Sequence, residues 1–267
     1  MAIRVCVAGA TGWAGAAVTR QIIASTDFAL TGAIARKGIG SDIGAALGLP
    51  PVGVQIAGAV EDALQAPTDV LIDYTSHDAV KAHALAALAL EVRVVIGTSG
   101  LTAADYVEIG QAATERGLGV IAAGNFSITA ALAKRFALMA ARYAPSWELI
   151  DYAHEGKVDA PSGTVRELAE EIGRVARPHL AVPIEQIHGS AATRGATIEG
   201  TQVHSLRLPG YVIAFEAIFG LPDERLTIRH DAGAGAGPYV AGTLLAARKA
   251  LEMTGLVRGL DHLLFED

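Results

Sequence analysis

Three glycines at a three-residue spacing, Gly9, Gly12 and Gly15, join a β-branched apolar run, Ile3 to Ala8, to an Ala-rich helical pattern, Trp13 to Ser25. No other feature constrains the fold as much. A strand that turns through glycines directly into a helix opens a βαβ unit, and the chain can reach the next parallel strand only by a right-handed crossover. The rhythm continues. Strand-like runs at Leu30 to Ala35, Val70 to Thr75, Val92 to Gly97 and Leu118 to Ala122 are separated by helical patterns that include Asp78–Glu91 and Thr102–Arg116. Such a chain predicts a doubly wound parallel sheet, with ligands outside the carboxyl ends of its strands.

The character changes after Phe126. A helix is expected over Ile128 to Tyr143, then an extended run Trp147 to Ala153, a helix Ser162–Ala176, and extended segments Ala196–Leu208, Tyr211–Phe219 and Arg225–Asp231. With turns at Pro209-Gly210 and Leu221-Pro222-Asp223, this predicts a mixed, largely antiparallel sheet flanked by helix. A last helix from about Pro238 to Thr254 would return to the first domain. The predicted fold class is α/β, with an N-terminal Rossmann dinucleotide-binding domain (residues 1–127 with 237–267) and an α+β substrate domain (residues 128–236). The Gly/Ala run Ala232 to Gly237 lies where a hinge between them would be expected.

The loop after the first strand, Gly9-Ala10-Thr11-Gly12-Trp13-Ala14-Gly15, is a variant of the dinucleotide fingerprint. Its glycines permit a tight turn, close approach of backbone to pyrophosphate and close helix-on-strand packing. At the end of the second strand, NAD-binding chains place a carboxylate for the ribose 2′-hydroxyl, and Arg suits a 2′-phosphate. Here the residues are Ala35-Arg36-Lys37. Two adjacent cations and no acid favour NADPH, and NADH use is also compatible. The fourth and fifth strand ends, Gly97-Thr98-Ser99 and Ala123-Gly124-Asn125-Phe126, are small enough for nicotinamide and ribose to approach. Asn125 suits either an amide-like partner or its own backbone.

The second domain contains a cation-bearing turn running into a helix start, His154-Glu155-Gly156-Lys157-Val158-Asp159-Ala160-Pro161-Ser162-Gly163-Thr164. Lys157 supplies an ammonium. The N–H groups that open the helix, together with Ser162, Gly163 and Thr164, form an anion site suited to carboxylates. A capped helix start with two surface charges is the alternative.

Composition excludes several classes. A net charge of −7 without a basic run argues against a nucleic-acid partner. The lone Cys6 lies in an apolar strand and reads as a core thiol. The chain enters its first strand too early for a signal peptide and has no uncharged apolar run of about 20 residues, so a cytoplasmic protein with no membrane partner is expected. His77, His83, His179, His188, His204 and His230 match no metal-ligand spacing, and no metal site is expected.

Taken together, Gly9-Ala10-x-Gly12-x-x-Gly15, Ile96-Gly97-Thr98-Ser99-Gly100, Asn125-Phe126-Ser127 and Lys157-Val158-Asp159-Ala160-Pro161-Ser162-Gly163-Thr164 resemble the 4-hydroxy-tetrahydrodipicolinate (dihydrodipicolinate) reductase family of lysine biosynthesis, along the whole chain. The resemblance implies hydride transfer from NAD(P)H to a cyclic dicarboxylate imine, and a homotetramer or homodimer joined through the second domain. It implies that Gly9, Ala10, Thr11, Gly12, Trp13, Ala14, Gly97, Thr98, Ser99, Ala123, Gly124, Asn125 and Phe126 line the cofactor, with Arg36 at the 2′-phosphate, where the adjacent cation Lys37 also falls. It implies that His154, Lys157, Ser162, Gly163 and Thr164 hold the substrate carboxylates, with Lys157 and His154 as the catalytic candidates.

Three departures accompany the match. The family places two adjacent histidines before the lysine, the first as acid–base residue, and that first position is Ala153. Trp13 stands where the family often has Arg, and the segment near Gly235 lacks an arginine and is one residue longer. Three functions therefore stay open: the family reaction with another proton source, reduction of a different imine or carbonyl, and a non-catalytic NADP-binding regulator.

Overall fold

The computed structural model describes residues 1–265. The chain forms two compact units, Met1–Ile128 with Ala236–Asp267, and Thr129–Gly235. The expected domain end at residue 267 lies outside the described residues. In chain order the elements run β1 (Ile3–Ala8), α1 (Trp13–Ala24), β2 (Phe28–Ile34), α2 (Ile43–Ala46), β3 (Ile56–Ala57), α3 (Val60–Ala63), β4 (Val70–Asp73), α4 (His77–Ala89), β5 (Arg93–Ile96), α5 (Ala103–Glu115), β6 (Gly119–Ala122) and α6 (Ile128–Ala140). They continue with β7 (Ser146–Ala153), α7 (Gly163–Val175), β8 (Ala196–Ile198), β9 (Thr201–Arg207), β10 (Ile213–Leu221), β11 (Glu224–Ala232), α8 (Gly237–Ala250), β12 (Gly255–Arg258) and α9 (Asp261–Leu264).

The first unit holds a parallel sheet in the order β12-β6-β5-β4-β1-β2-β3. Its central strands are apolar on both faces, as β4 shows by being buried throughout, because helices cover both sides of such a sheet. Leu71, Val94, Ile96 and Val120 pack with Val80, Ala84 and Leu88 of α4 and Ile109 and Ala113 of α5. Helix α5 starts with a capping box: the Thr102 hydroxyl accepts the Asp105 N–H and the Asp105 carboxylate accepts the Thr102 N–H.

Several short elements are absent from the sequence reading. α2, β3, α3 and β12 span only two to four residues each, too few for a periodicity to register. Asp42 organises this region by accepting the N–H groups of Ala45, Val52 and Gly53. The last long helix stops at Ala250, not Thr254, and leads into β12 beside β6.

The second unit's sheet runs β11-β10-β7-β9-β8, antiparallel except for β7 with β9. The expected single segment Ala196–Leu208 is a hairpin, divided at Glu199-Gly200, both at positive φ. One face of the sheet, with Trp147, Leu149, Phe215, Ala217 and Phe219, packs on Val165, Leu168 and Ile172 of α7 and Ala133 and Ala137 of α6. The opposite face carries partly exposed Glu148, Ile150, Glu216 and Ile218. Lys134 of α6 is almost buried and ties the two helices, 2.8 Å from Glu167 and 2.7 Å from Glu171. Among the described residues no helix is long and apolar enough to cross a membrane.

Candidate active site

Within the first unit the sheet order sets β1 between β4 and β2, so the loops after these three strands meet. They enclose a cleft of about 880 Å3 lined by Gly9, Thr11, Gly12, Trp13, Ile34, Ala35, Arg36, Lys37, Gly58, Tyr74, Thr75, Ser76, Ala79 and His83. Gly9 has φ +79°, and a Cβ there would strike the Tyr74 carbonyl. A Cβ on Gly15 would strike the Gly9 carbonyl oxygen, so this glycine lets α1 pack against the loop. The Gly9 and Ala10 N–H groups both donate to the Ile34 carbonyl at 2.9 and 3.1 Å, and Gly12 N–H donates to Gly9. Ala10 is fully buried. Among the described residues no side chain caps α1, whose N-cap is Gly12, so the N–H groups of its first turn have no side-chain acceptor there.

Arg36 and Lys37 are exposed on the cleft wall, and neither forms an ion pair among the described residues. Trp13 is 61% exposed and meets Tyr239 edge-to-face, with centroids 5.4 Å apart. The glycine loop, the positive φ, the uncapped helix start and two cations together fit a dinucleotide.

The fourth strand supplies residues that sequence reasoning missed. Asp73 is fully buried and accepts from Thr75 N–H at 2.9 Å, Thr75 Oγ1 at 2.6 Å and Thr98 Oγ1 at 2.8 Å, with His83 Nδ1 at 2.8 Å. His83, which had no evident partner in the sequence, is thereby oriented on the cleft wall. Its only signal there was an acid at the end of a strand pattern, ten residues earlier.

The other two strand ends do not line this cleft, because β5 and β6 lie one and two strands beyond β4. Gly97 is small for Tyr74, whose ring occupies the space a Cβ would take. Thr98 bonds Asp73, and Ser99 is exposed. Ala123 is buried and Gly124 exposed. The Asn125 Oδ1 accepts the Ser127 N–H at 2.8 Å, and Phe126 is a core residue set edge-on to Tyr74. Burial pushes the Tyr74 hydroxyl well above its ordinary pKa.

In the second unit, β7 ends on Ala153, which is fully buried between Ile213 of β10 and Arg207 of β9. His154 follows as an exposed residue, its N–H donating to the Val212 carbonyl. Lys157 N–H donates to the His154 carbonyl at 3.1 Å, and its ammonium lies 2.7 Å from Asp159 Oδ1. That ammonium holds the Asp159 carboxyl below the usual carboxylate range.

Ser162 is where the expected anion site changes. Its side chain caps α7 by accepting the Val165 N–H, and its own N–H donates to the buried Asp151 at 2.9 Å. Ser162 is buried with its N–H and its hydroxyl oxygen bonded inside the fold, so the exposed part of the helix start is Gly163, with half-buried Thr164 beside it. Among the described residues no group of three or more His, Cys, Asp or Glu side chains could hold a metal ion.

Two family models match consecutive parts of this chain: the N-terminal model of dihydrodipicolinate reductase over residues 3–126 and the C-terminal model over 127–264. A protein of Moorella thermoacetica named 4-hydroxy-tetrahydrodipicolinate reductase is 42% identical over 267 residues, covering 98% of each chain. One of the same name from Desulfitobacterium hafniense is 40% identical, again over 98% of each. The dipicolinate-bound dihydrodipicolinate reductase from Paenisporosarcina sp. TG-14 superposes with a TM-score of 0.87 at 31% identity, covering 98% of this chain and 99% of that one. The chain belongs to the dihydrodipicolinate reductase family and is, with it, an oxidoreductase.

Proposed function

We propose that this chain reduces the C=N bond of 4-hydroxy-tetrahydrodipicolinate, a cyclic imine bearing two carboxylates, and that NADPH is its preferred reductant over NADH. The observation that carries the reading is the loop from Lys157 to Thr164, which sets one ammonium beside the start of α7, where Gly163 is exposed, on the second unit. Relatives bear the name of this activity, and a solved relative is described with dipicolinate bound. Support for NADPH comes from exposed Arg36 and Lys37 on the cleft wall and from the absence of an acid beside them.

Bound NADPH supplies a hydride for the imine carbon. Glycine-loop residues Thr11, Gly12 and Trp13 and the start of α1 hold its pyrophosphate, and Arg36 and Lys37 hold the 2′-phosphate. On the second unit a substrate carboxylate competes with Asp159 for the Lys157 ammonium. Gly163 and Thr164 receive the second carboxylate at the helix start. The imine nitrogen must gain a proton as the carbon gains hydride. Ala153 has none to give, so Lys157 or the adjacent His154 delivers it, or the substrate arrives as an iminium. General acid catalysis contributes roughly 10²–10⁴-fold, which bounds what the missing histidine removes. Assembly as a homotetramer or homodimer has support in the second sheet's outer face, where Ile150 and Ile218 would be buried by a second copy. A cytoplasmic location accords with a biosynthetic role.

The test is NADPH oxidation with freshly generated 4-hydroxy-tetrahydrodipicolinate. Turnover is expected, and Lys157→Ala should lower kcat and raise the substrate KM while the NADPH Kd stays within about twofold. Tight NADPH binding with no turnover on this substrate would refute the assignment. Turnover on another imine would then point to a changed substrate, and none on any to a regulator.

A further inference from the structure

Asp151 occupies an inward position of β7, in line with Trp147 and Leu149, and its side chain is fully buried. A carboxylate there is unfavourable unless paired. Its partner is Arg207, the last residue of β9, whose Nη2 lies 2.7 Å from Asp151 Oδ2. The pair does more than join two strands. The same Nη2 donates to the Asp159 carbonyl at 2.6 Å, and the same Oδ2 accepts the Ser162 N–H at 2.9 Å, with Ser205 Oγ at 3.3 Å. Arg207 Nη1 donates to the Leu206 carbonyl. Both ends of the Asp159–Ser162 turn are thus tied to one buried ion pair.

Beyond the Lys157 N–H bond to the His154 carbonyl and a long one from Arg166 Nη2 to the Pro161 carbonyl, few contacts hold this segment. Glu155, Gly156, Val158, Ala160 and Gly163 are all exposed, Val158 at 99%, so the loop has few apolar contacts of its own. Asp159, whose carbonyl Arg207 grips, is also the residue whose carboxylate holds the Lys157 ammonium.

We propose that Asp151 and Arg207 are positioning residues. They touch no substrate, but they set the backbone of the turn so that Lys157 and the start of α7 face the same anion. This rests on the reading of the loop as the site for substrate carboxylates. A hydrophobic pair of similar volume could replace the ion pair in the core without loss of stability, but it has no groups for the Asp159 carbonyl or the Ser162 N–H.

The test compares Arg207→Lys, Arg207→Met and the double variant Asp151→Leu with Arg207→Met, which removes the charge left alone by the single change and leaves no acceptor for the Ser162 N–H. Three quantities are read: midpoint of thermal unfolding, rate of tryptic cleavage after Lys157 in native buffer, and Kd for 2,6-pyridinedicarboxylate beside that for NADPH. In the double variant the midpoint should recover toward the wild-type value. Cleavage after Lys157 should still be at least about tenfold faster, and the dicarboxylate Kd at least about tenfold weaker, with NADPH affinity within about twofold. Arg207→Lys, keeping one charge but not the fork, should fall between. Recovery of cleavage resistance and dicarboxylate affinity together with stability would overturn the proposal, as would unchanged cleavage in every variant. The proteolysis arm needs no substrate, so it remains decisive even if wild-type protein fails to bind the dicarboxylate, a result that would count against the substrate reading alone.

Discussion

Replacing Gly97 with alanine should destabilise the protein by about 2–3 kcal/mol, through one side chain on the neighbouring strand end. The added Cβ would lie 2.5 Å from Cζ and 2.7 Å from Cδ1 of Tyr74, where ordinary contact begins at 3.4 Å. The ring must therefore retreat by about 1 Å. It is not free to do so, because its hydroxyl is 2.6 Å from Thr243 Oγ1 and its edge meets Phe126. Overpacking a filled site costs about 1–3 kcal/mol, and the hydrogen bond to Thr243 is worth about 1 kcal/mol. Alanine offsets about 0.4–1 kcal/mol by restricting the unfolded chain, since Gly97 is not at positive φ. The assay is urea unfolding of the wild type, Gly97→Ala, Tyr74→Leu and the double variant. In the Tyr74→Leu background the alanine penalty should shrink to less than about half, since the two sites are in contact. A penalty below about 0.5 kcal/mol, or one of equal size in both backgrounds, would refute the packing argument. Close approach of a ligand would then be the remaining reason for a glycine at this strand end.

Two further changes test other parts of the structure. Converting Arg36 and Lys37 to serine together should weaken NADPH binding at least about tenfold and NADH binding less than about twofold, since a hydrogen bond to a charged group is worth about 1.5–3 kcal/mol. Quenching of Trp13, exposed at the cleft while Trp147 is buried, reports both affinities; equal losses would sink the 2′-phosphate role. Lys134→Met should cost about 2 kcal/mol in urea unfolding, because it strands Glu167 and Glu171 one turn apart on α7 with their shared cation removed. A change within about 0.5 kcal/mol would mean that solvent already screens those carboxylates.

Residues close in sequence carried most of what could be read without a structure. Gly9, Gly12 and Gly15 needed only their positions between a strand and a helix pattern, because a positive φ and a missing Cβ are requirements of the local backbone. The cations at 36 and 37 fell at the end of β2 as expected, and the alternation of β7 and the 3.6-residue period of α7 follow from one-faced burial. Elements of two to four residues, such as β3 and β12, left no such trace. Their places were decided by pairing with strands far away in the chain.

The polar partnerships were a different matter. Ser162 has the composition of a ligand, yet the structure turns its N–H to Asp151 and its hydroxyl to α7. Asp73 finds His83 ten residues on, and Asp151 finds Arg207 fifty-six residues on. Local periodicity determines which faces are apolar and where the chain turns, since backbone sterics and solvent exposure act residue by residue. Only the tertiary structure decides which buried polar group meets which, because that choice follows from how strands and helices pack: a carboxylate driven into the core must take the donors that the neighbouring elements carry there.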